Sequence, residues 1–162
     1  MDFARIEIEA ATLLAAPGGA RKRLQSLCEL MKLRLPYYDW FGFYVARRIE
    51  PLLDLGPYSG ESTEHVLIPF GRGICGQAAE SRRTFVVDDV SAQPNYLACS
   101  LKVKSEIVVP VFASAGSDPG ERRFTGEIDI DSHTAGAFKR EDLLFLERLA
   151  VLVSADLEAL RK

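Results

Sequence analysis

Two cysteines and a run of carboxylates are the residues whose types and spacing could do chemistry. Cys75 sits in Gly71-Arg72-Gly73-Ile74-Cys75-Gly76, and Cys99 in Leu97-Ala98-Cys99-Ser100. A thiol where a glycine loop meets a helix start lies near free backbone N–H groups. These favour its thiolate and make it nucleophilic. The glycines at 71, 73 and 76 permit close approach by a ligand or another loop. The same pattern also suits a structural cysteine beneath a tight turn, and both readings stay open. Cys99 falls in a loop, with Lys102 and Lys104 nearby to favour its thiolate; an incidental surface position is its alternative. On local chemistry alone, Cys75 is the better candidate for the reactive thiol.

The acids lie in Gly126-Glu127-Ile128-Asp129-Ile130-Asp131. A strand has period two, so Glu127, Asp129 and Asp131 share one face and the isoleucines take the other. Three like charges on one face need solvent, a cation or a shared proton. Composition favours the first option, a solvent-exposed polar sheet face. If they line a cavity instead, they suit a ligand amine or an oxygen that must be protonated. Glu106, early in Ser105-Glu106-Ile107-Val108-Val109-Pro110, could join them. Trp40 and Tyr44 share a strand face and would serve either as core or as the wall of an apolar pocket.

The elements that must position these residues follow from periodicity. Phe3, Ile6, Ala10 and Leu13 predict a first helix, stopped by Pro17-Gly18-Gly19. Leu24, Leu27, Cys28, Met31 and Leu35 form the stripe of a second, ended by Pro36. Cys28 belongs to that stripe and reads as a small core residue. Strands are expected over 38–46, 50–58, 65–69, 84–87, 106–113 and 124–131, with a short helix over 74–81. A long loop runs from Asp88 to Lys104, of a length suited to a binding loop or lid. Ser114 to Gly120 is expected as a hairpin loop. A last helix runs from about Arg140 to Leu160, with Leu143, Leu146, Ala150, Val153, Leu157 and Leu160 on its apolar face. Most strand connections are hairpins, so the class is α+β: one domain over residues 1–162 with a central, mainly antiparallel sheet. The terminal helices cover one face, and the short helix and loops cover a pocket on the other.

Composition excludes several functions. The chain has 162 residues, 48% hydrophobic and 27% charged, with a formal charge of −3. That balance gives no case for nucleic acid or an anionic membrane. No apolar run reaches the length of a membrane span, and the N-terminus does not read as a signal peptide. Three cysteines and two histidines argue against both a disulfide scaffold and a zinc site. A cytoplasmic location is expected.

The blocks Asp39-Trp40-Phe41-Gly42-Phe43-Tyr44, Leu55-Gly56-Pro57-Tyr58-Ser59-Gly60 and Gly71-Arg72-Gly73-Ile74-Cys75-Gly76 resemble a GAF domain. With Leu97-Ala98-Cys99, Ser105-Glu106-Ile107-Val108-Val109-Pro110 and Ile128-Asp129-Ile130-Asp131-Ser132, the chain resembles the GAF-type free methionine-(R)-sulfoxide reductases. The resemblance implies a thiol oxidoreductase of oxidative-stress defence, acting on the R epimer of free methionine sulfoxide with no metal or organic cofactor. It implies that Cys99 is the nucleophile, passing through a sulfenic acid, and that Cys75 resolves it as a Cys75–Cys99 disulfide for a thioredoxin-like reductant. Glu106, Asp129 and Asp131 correspond to the family's substrate-binding carboxylates, and Trp40 and Tyr44 to its pocket aromatics. So the resemblance moves the attack from Cys75 to Cys99. Two departures stand out: His65 occupies the place of a third family cysteine, and Glu127 that of an apolar residue. The 114–123 hairpin is also longer than the family's. The alternatives are a non-catalytic ligand-sensing GAF domain, although the chain reaches Lys162 with no effector following, and a homodimerisation module using the terminal helices.

Overall fold

The computed structural model describes residues 1–94, 101–113 and 122–162; Cys99 and the expected 114–120 hairpin loop lie outside the described residues. Helix α1 (Phe3–Leu14) starts where the Asp2 carboxylate accepts the Arg5 N–H at 3.1 Å, satisfying one of the free donors of the first turn. Helix α2 (Ala20–Arg34) begins after Gly19 and carries Lys32 and Arg34 in its last turn, where positive charge suits the carbonyl end of the helix. Helix α4 (Arg140–Ala159) opens on Asp142, which accepts the Lys139 N–H at 2.8 Å.

The six strands form one sheet: β1 (Trp40–Ala46), β2 (Leu52–Ser59), β3 (Leu67–Pro69), β4 (Phe85–Val87), β5 (Ser105–Phe112) and β6 (Phe124–Ser132). Their order is β3-β2-β1-β6-β5-β4, and every pairing is antiparallel. The short helix α3 (Gly73–Ser81) sits between β3 and β4 in the chain. A 3₁₀ turn over Val90–Ala92, not expected from periodicity, forms where Asp89 accepts the Ser91 N–H and hydroxyl at 2.9 and 2.6 Å.

Helices α1, α2 and α4 pack on one sheet face. Leu24, Met31, Phe145 and Val153 meet Phe41, Phe43, Ile128 and Ile130 there in the larger core. The apolar stripe of α4 is thus used within the domain: Leu146, Ala150, Val153 and Leu157 are buried, and Leu143 and Leu160 pack against them. Helix α3 covers the other face, where Trp40, Tyr44, Ile74, Cys75 and Val108 form a second cluster. This two-sided cover leaves β1 and β6 buried along their whole length. No helix among the described residues is long and apolar enough to cross a membrane.

Candidate active site

Strand register assembles the acids. Asp131 pairs with Glu106 of β5 and Trp40 of β1, Asp129 with Val108 and Gly42, and Glu127 with Pro110 and Tyr44. Directly opposed residues project to the same face. So Glu106, Glu127, Asp129, Asp131, Trp40 and Tyr44 share the face beneath α3. The expectation of a solvent-exposed acidic face is overturned: all four carboxylates are buried. Composition misleads here because α3 and its flanking loops cover a face whose polar residues would otherwise meet water.

The aromatic side of this face is built by stacking. The Trp40 ring lies 5.2 Å from Tyr58 and 6.3 Å from Tyr44, at interplanar angles of 17° and 24°. Gly42 makes room for the indole, since a Cβ there would lie 2.4 Å from it and 2.6 Å from the Tyr58 Cβ. Trp40 Nε1 donates to the Glu61 carbonyl at 3.2 Å, and the Tyr44 hydroxyl to the His65 carbonyl at 2.9 Å. Tyr58 was not singled out from the sequence. Its signal was Gly42, the residue it pairs with.

The glycine loop sets Cys75 over the acids. Gly71 and Gly73 have φ of +82° and +67°, in the left-handed region that a side chain disfavours. Gly76 packs against backbone, with its Cβ direction only 2.4 Å from the Pro69 carbonyl oxygen. This turn brings Cys75, the third residue of α3, down onto the sheet. Cys75 is 5% exposed. The helix-start argument for a low pKa fails here. Burial, and then the charges of Asp129, Glu127 and Glu106, push the thiol well up. Three nearby carboxylates and lost hydration outweigh the partial charge of a helix start.

The carboxyls are perturbed in the same sense. Burial pushes Asp129 up to about 7, opposed by hydrogen bonding to the Cys75 thiol and the Ile130 N–H. Glu106 is raised by burial and by the charges of Asp129, Asp131 and Glu127. Glu127 is raised by burial and by Asp129, with the weak thiol donor of Cys75 offsetting part of it. Neither Glu127 oxygen has a hydrogen bond of ordinary geometry. Glu106, Glu127 and Asp129 are thus all biased by burial toward their protonated forms.

Donor atoms of Cys75, Glu106 and Asp129 all lie within 4.8 Å of one another, a spacing that suits one shared cation, whether a metal ion or an ammonium group. Two small cavities flank the cluster. One, of about 10 Å³, is lined by Tyr44, His65, Arg72, Cys75, Glu106 and Asp129 among others. The second, of about 20 Å³, lies between Trp40, Asp131, Val103, Asp39 and His133. Each is about the size of one water molecule. Asp39 and His133, missed in the sequence, are tied together: the His133 N–H donates to Asp39 Oδ2 at 2.7 Å.

The remaining cysteine is elsewhere. Cys28 is buried in the helical core and donates to the Pro57 carbonyl at 3.5 Å. Burial raises its thiol, as a core role requires.

Fold and site together define a GAF domain, and the GAF domain family model matches residues 20–157. The chain is 40% identical over 117 residues to a free methionine-R-sulfoxide reductase of Saccharomyces cerevisiae, covering 72% of this chain and 61% of that protein. It is 31% identical over 147 residues to the Escherichia coli protein of the same name, covering 91% of this chain and 83% of that one. The structure of free methionine-R-sulfoxide reductase from Neisseria meningitidis, in complex with its substrate, superposes with a TM-score of 0.85 at 33% identity. That match covers 97% of this chain and 89% of the other. The chain belongs to the GAF-type free methionine-R-sulfoxide reductase family.

Proposed function

We propose that this protein reduces free L-methionine-(R)-sulfoxide to methionine. The observation that carries the reading is the buried cluster of Cys75 with Glu106, Asp129 and Asp131 beneath an aromatic wall, in a chain of this family. A free amino acid carries an ammonium group, and closely packed buried carboxylates are a strong attractor for one. Trp40 and Tyr44 offer an apolar surface for the sulfoxide methyl group.

In the proposed chemistry Cys99 supplies the nucleophile. Its thiolate attacks the sulfoxide sulfur, a proton from a carboxyl of the cluster goes to the sulfoxide oxygen, and that oxygen ends on Cys99 as a sulfenic acid while methionine leaves. A buried carboxyl with a raised pKa is suited to supply that proton near neutral pH. Cys75 then attacks the sulfenic sulfur, giving a Cys75–Cys99 disulfide and water. A thioredoxin-like dithiol of the cytosol returns both thiols by exchange.

The test is to mix reduced protein with free L-methionine-(R,S)-sulfoxide and a dithiol. Half the substrate should be consumed, all of it the R epimer. Cys99→Ser should abolish turnover, and Cys75→Ser should release about one equivalent of methionine and stall as sulfenic acid. Binding of the sulfoxide without methionine release would favour a ligand-sensing domain instead.

A further inference from the structure

A larger cavity, of about 310 Å³, opens where the chain leaves β1, and it shares no lining residue with the two beside Cys75. Its volume falls in the range of small-molecule sites, about 300–1,000 Å³. Five arginines from four parts of the chain line it: Arg47 and Arg48 after β1, Arg82 at the end of α3, Arg123 before β6 and Arg161 after α4. The whole chain has a formal charge of −3, so this concentration of positive charge runs against its composition.

The charges are not balanced locally. Arg47 is satisfied: its Nε and Nη2 donate to Asp54 at 2.9 and 3.0 Å, and its Nη1 to Glu50 at 2.7 Å. Glu158, by contrast, serves three guanidinium groups at once. Its Oε1 meets Arg123 at 2.8 Å and Arg48 at 3.4 Å, and its Oε2 meets Arg161 at 3.2 Å. Arg161 is buried and spends its other nitrogens on the Ala46 and Arg47 carbonyls. Arg48 and Arg123 are half exposed and give one terminal nitrogen each to Glu158, which leaves the rest of each planar fork open. Arg82 has no ion pair among the described residues. It is also the one non-glycine residue of positive φ among them, at +56°. Glycine is usual at such a helix end, and a side chain kept there against that preference points to a use. Five guanidinium groups against Glu50, Asp54 and Glu158 leave two positive charges uncompensated.

We propose that this cavity binds an organic phosphate: a phosphate monoester carried on a flat ring, of the nucleoside monophosphate kind. Such an ester carries close to two negative charges at neutral pH and three acceptor oxygens, which arginine forks match in charge and geometry. The ring has an aromatic flank to meet. Phe70 and Phe124 both line the cavity, edge to face at 5.8 Å and 83°, and a base can stack on a ring of this kind. None of this depends on the sulfoxide chemistry, and binding is measured with no sulfoxide present, so either reading can fail without the other.

The experiment is calorimetric titration of the full chain with adenosine monophosphate, at about pH 7.5 where the ester is a dianion and at about 50 mM salt. Binding should be one to one with Kd below about 1 mM, and it should weaken as salt is added. Inorganic phosphate should bind about tenfold more weakly, since it lacks the ring. Arg82→Gln and Arg123→Gln should each weaken the nucleotide about tenfold or more. Arg82→Gln leaves every ion pair of Glu158 in place, so it carries the test if Arg123→Gln does not fold. Arg83→Gln, at an exposed neighbour outside the lining, should leave Kd unchanged. Phe70→Leu should weaken the nucleotide but not inorganic phosphate. No saturable binding up to about 10 mM nucleotide overturns the proposal. So does an equal loss in Arg83→Gln and Arg82→Gln, which would mean diffuse attraction. Inorganic phosphate binding as tightly as the nucleotide overturns it too, as does a single-stranded oligonucleotide binding more tightly than the mononucleotide.

Discussion

Replacing Glu127 with methionine should make the protein more stable at neutral pH. The exchange keeps an unbranched side chain of similar length and removes a carboxyl that is fully buried with no ordinary hydrogen bond. Exchanging buried charged groups for well-packed apolar ones commonly gains about 1–4 kcal/mol. A gain of about 2 kcal/mol in a chain of 162 residues raises Tm by about 4–8 °C. The gain should depend on pH. Burial raises the folded pKa of Glu127, so between the unfolded and folded values the folded protein holds more protons than the unfolded chain. Stability is full below the unfolded value and falls as pH rises through that window, by up to about 1.4 kcal/mol per pH unit for each such group. Glu106 and Asp129 shift the same way, so the wild type should weaken from about pH 5 to about pH 7. Glu127→Met lacks one of these contributions and relieves the charge on its neighbours. Its advantage should therefore widen with pH. Urea unfolding of the reduced proteins at both pH values measures this. A variant less stable than wild type at about pH 7, or an advantage that narrows as pH rises, would refute the reasoning.

Two further outcomes follow from the same site. Asp129 is pushed up to about 7 and an ammonium ligand binds its ionised form, so the affinity of Cys99→Ser protein for the sulfoxide should rise with pH up to about 7 and then level. Calorimetric titration of that protein should lose this pH dependence on adding Asp129→Asn, with Kd weakened about tenfold or more; an unaltered Kd would remove Asp129 from binding. Cys75 and Cys28 are both buried with raised thiol pKa. In reduced native protein each should react with iodoacetamide about a hundredfold or more slower than free cysteine, and rapid labelling of Cys75 by mass spectrometry would contradict its placement.

Much of the fold was legible because its signals are local. The stripe of Leu24, Leu27, Cys28 and Met31 required a helix, and Ile128 and Ile130 turn to the helical core as period two demands. Differences at element ends are small and have local causes. The strand expected from His65 begins only at Leu67, because the His65 carbonyl is used by the Tyr44 hydroxyl rather than by a ladder. The site was half legible. Alternation put Glu127, Asp129 and Asp131 on one face, but whether that face meets water depends on what α3 covers, which no window of sequence contains. The pKa of Cys75 failed for the same reason. A helix start can be read from glycine spacing, whereas three carboxylates arriving from β5 and β6 are a tertiary fact.

These carboxylates tie stability to ligand binding. Unliganded, the cluster holds Glu106, Glu127 and Asp129 away from water with pKa values raised by burial, at a cost that grows as pH exposes their charges. An ammonium group brought among them supplies the missing positive charge, so a ligand of that kind should gain affinity from relieving strain that the empty fold carries. Glu127 is different in kind. It lines neither of the cavities beside the cluster, and a bound ligand would relieve it least. Its cost therefore persists when a ligand binds, and an apolar replacement should raise stability by a similar amount in the free and the liganded protein.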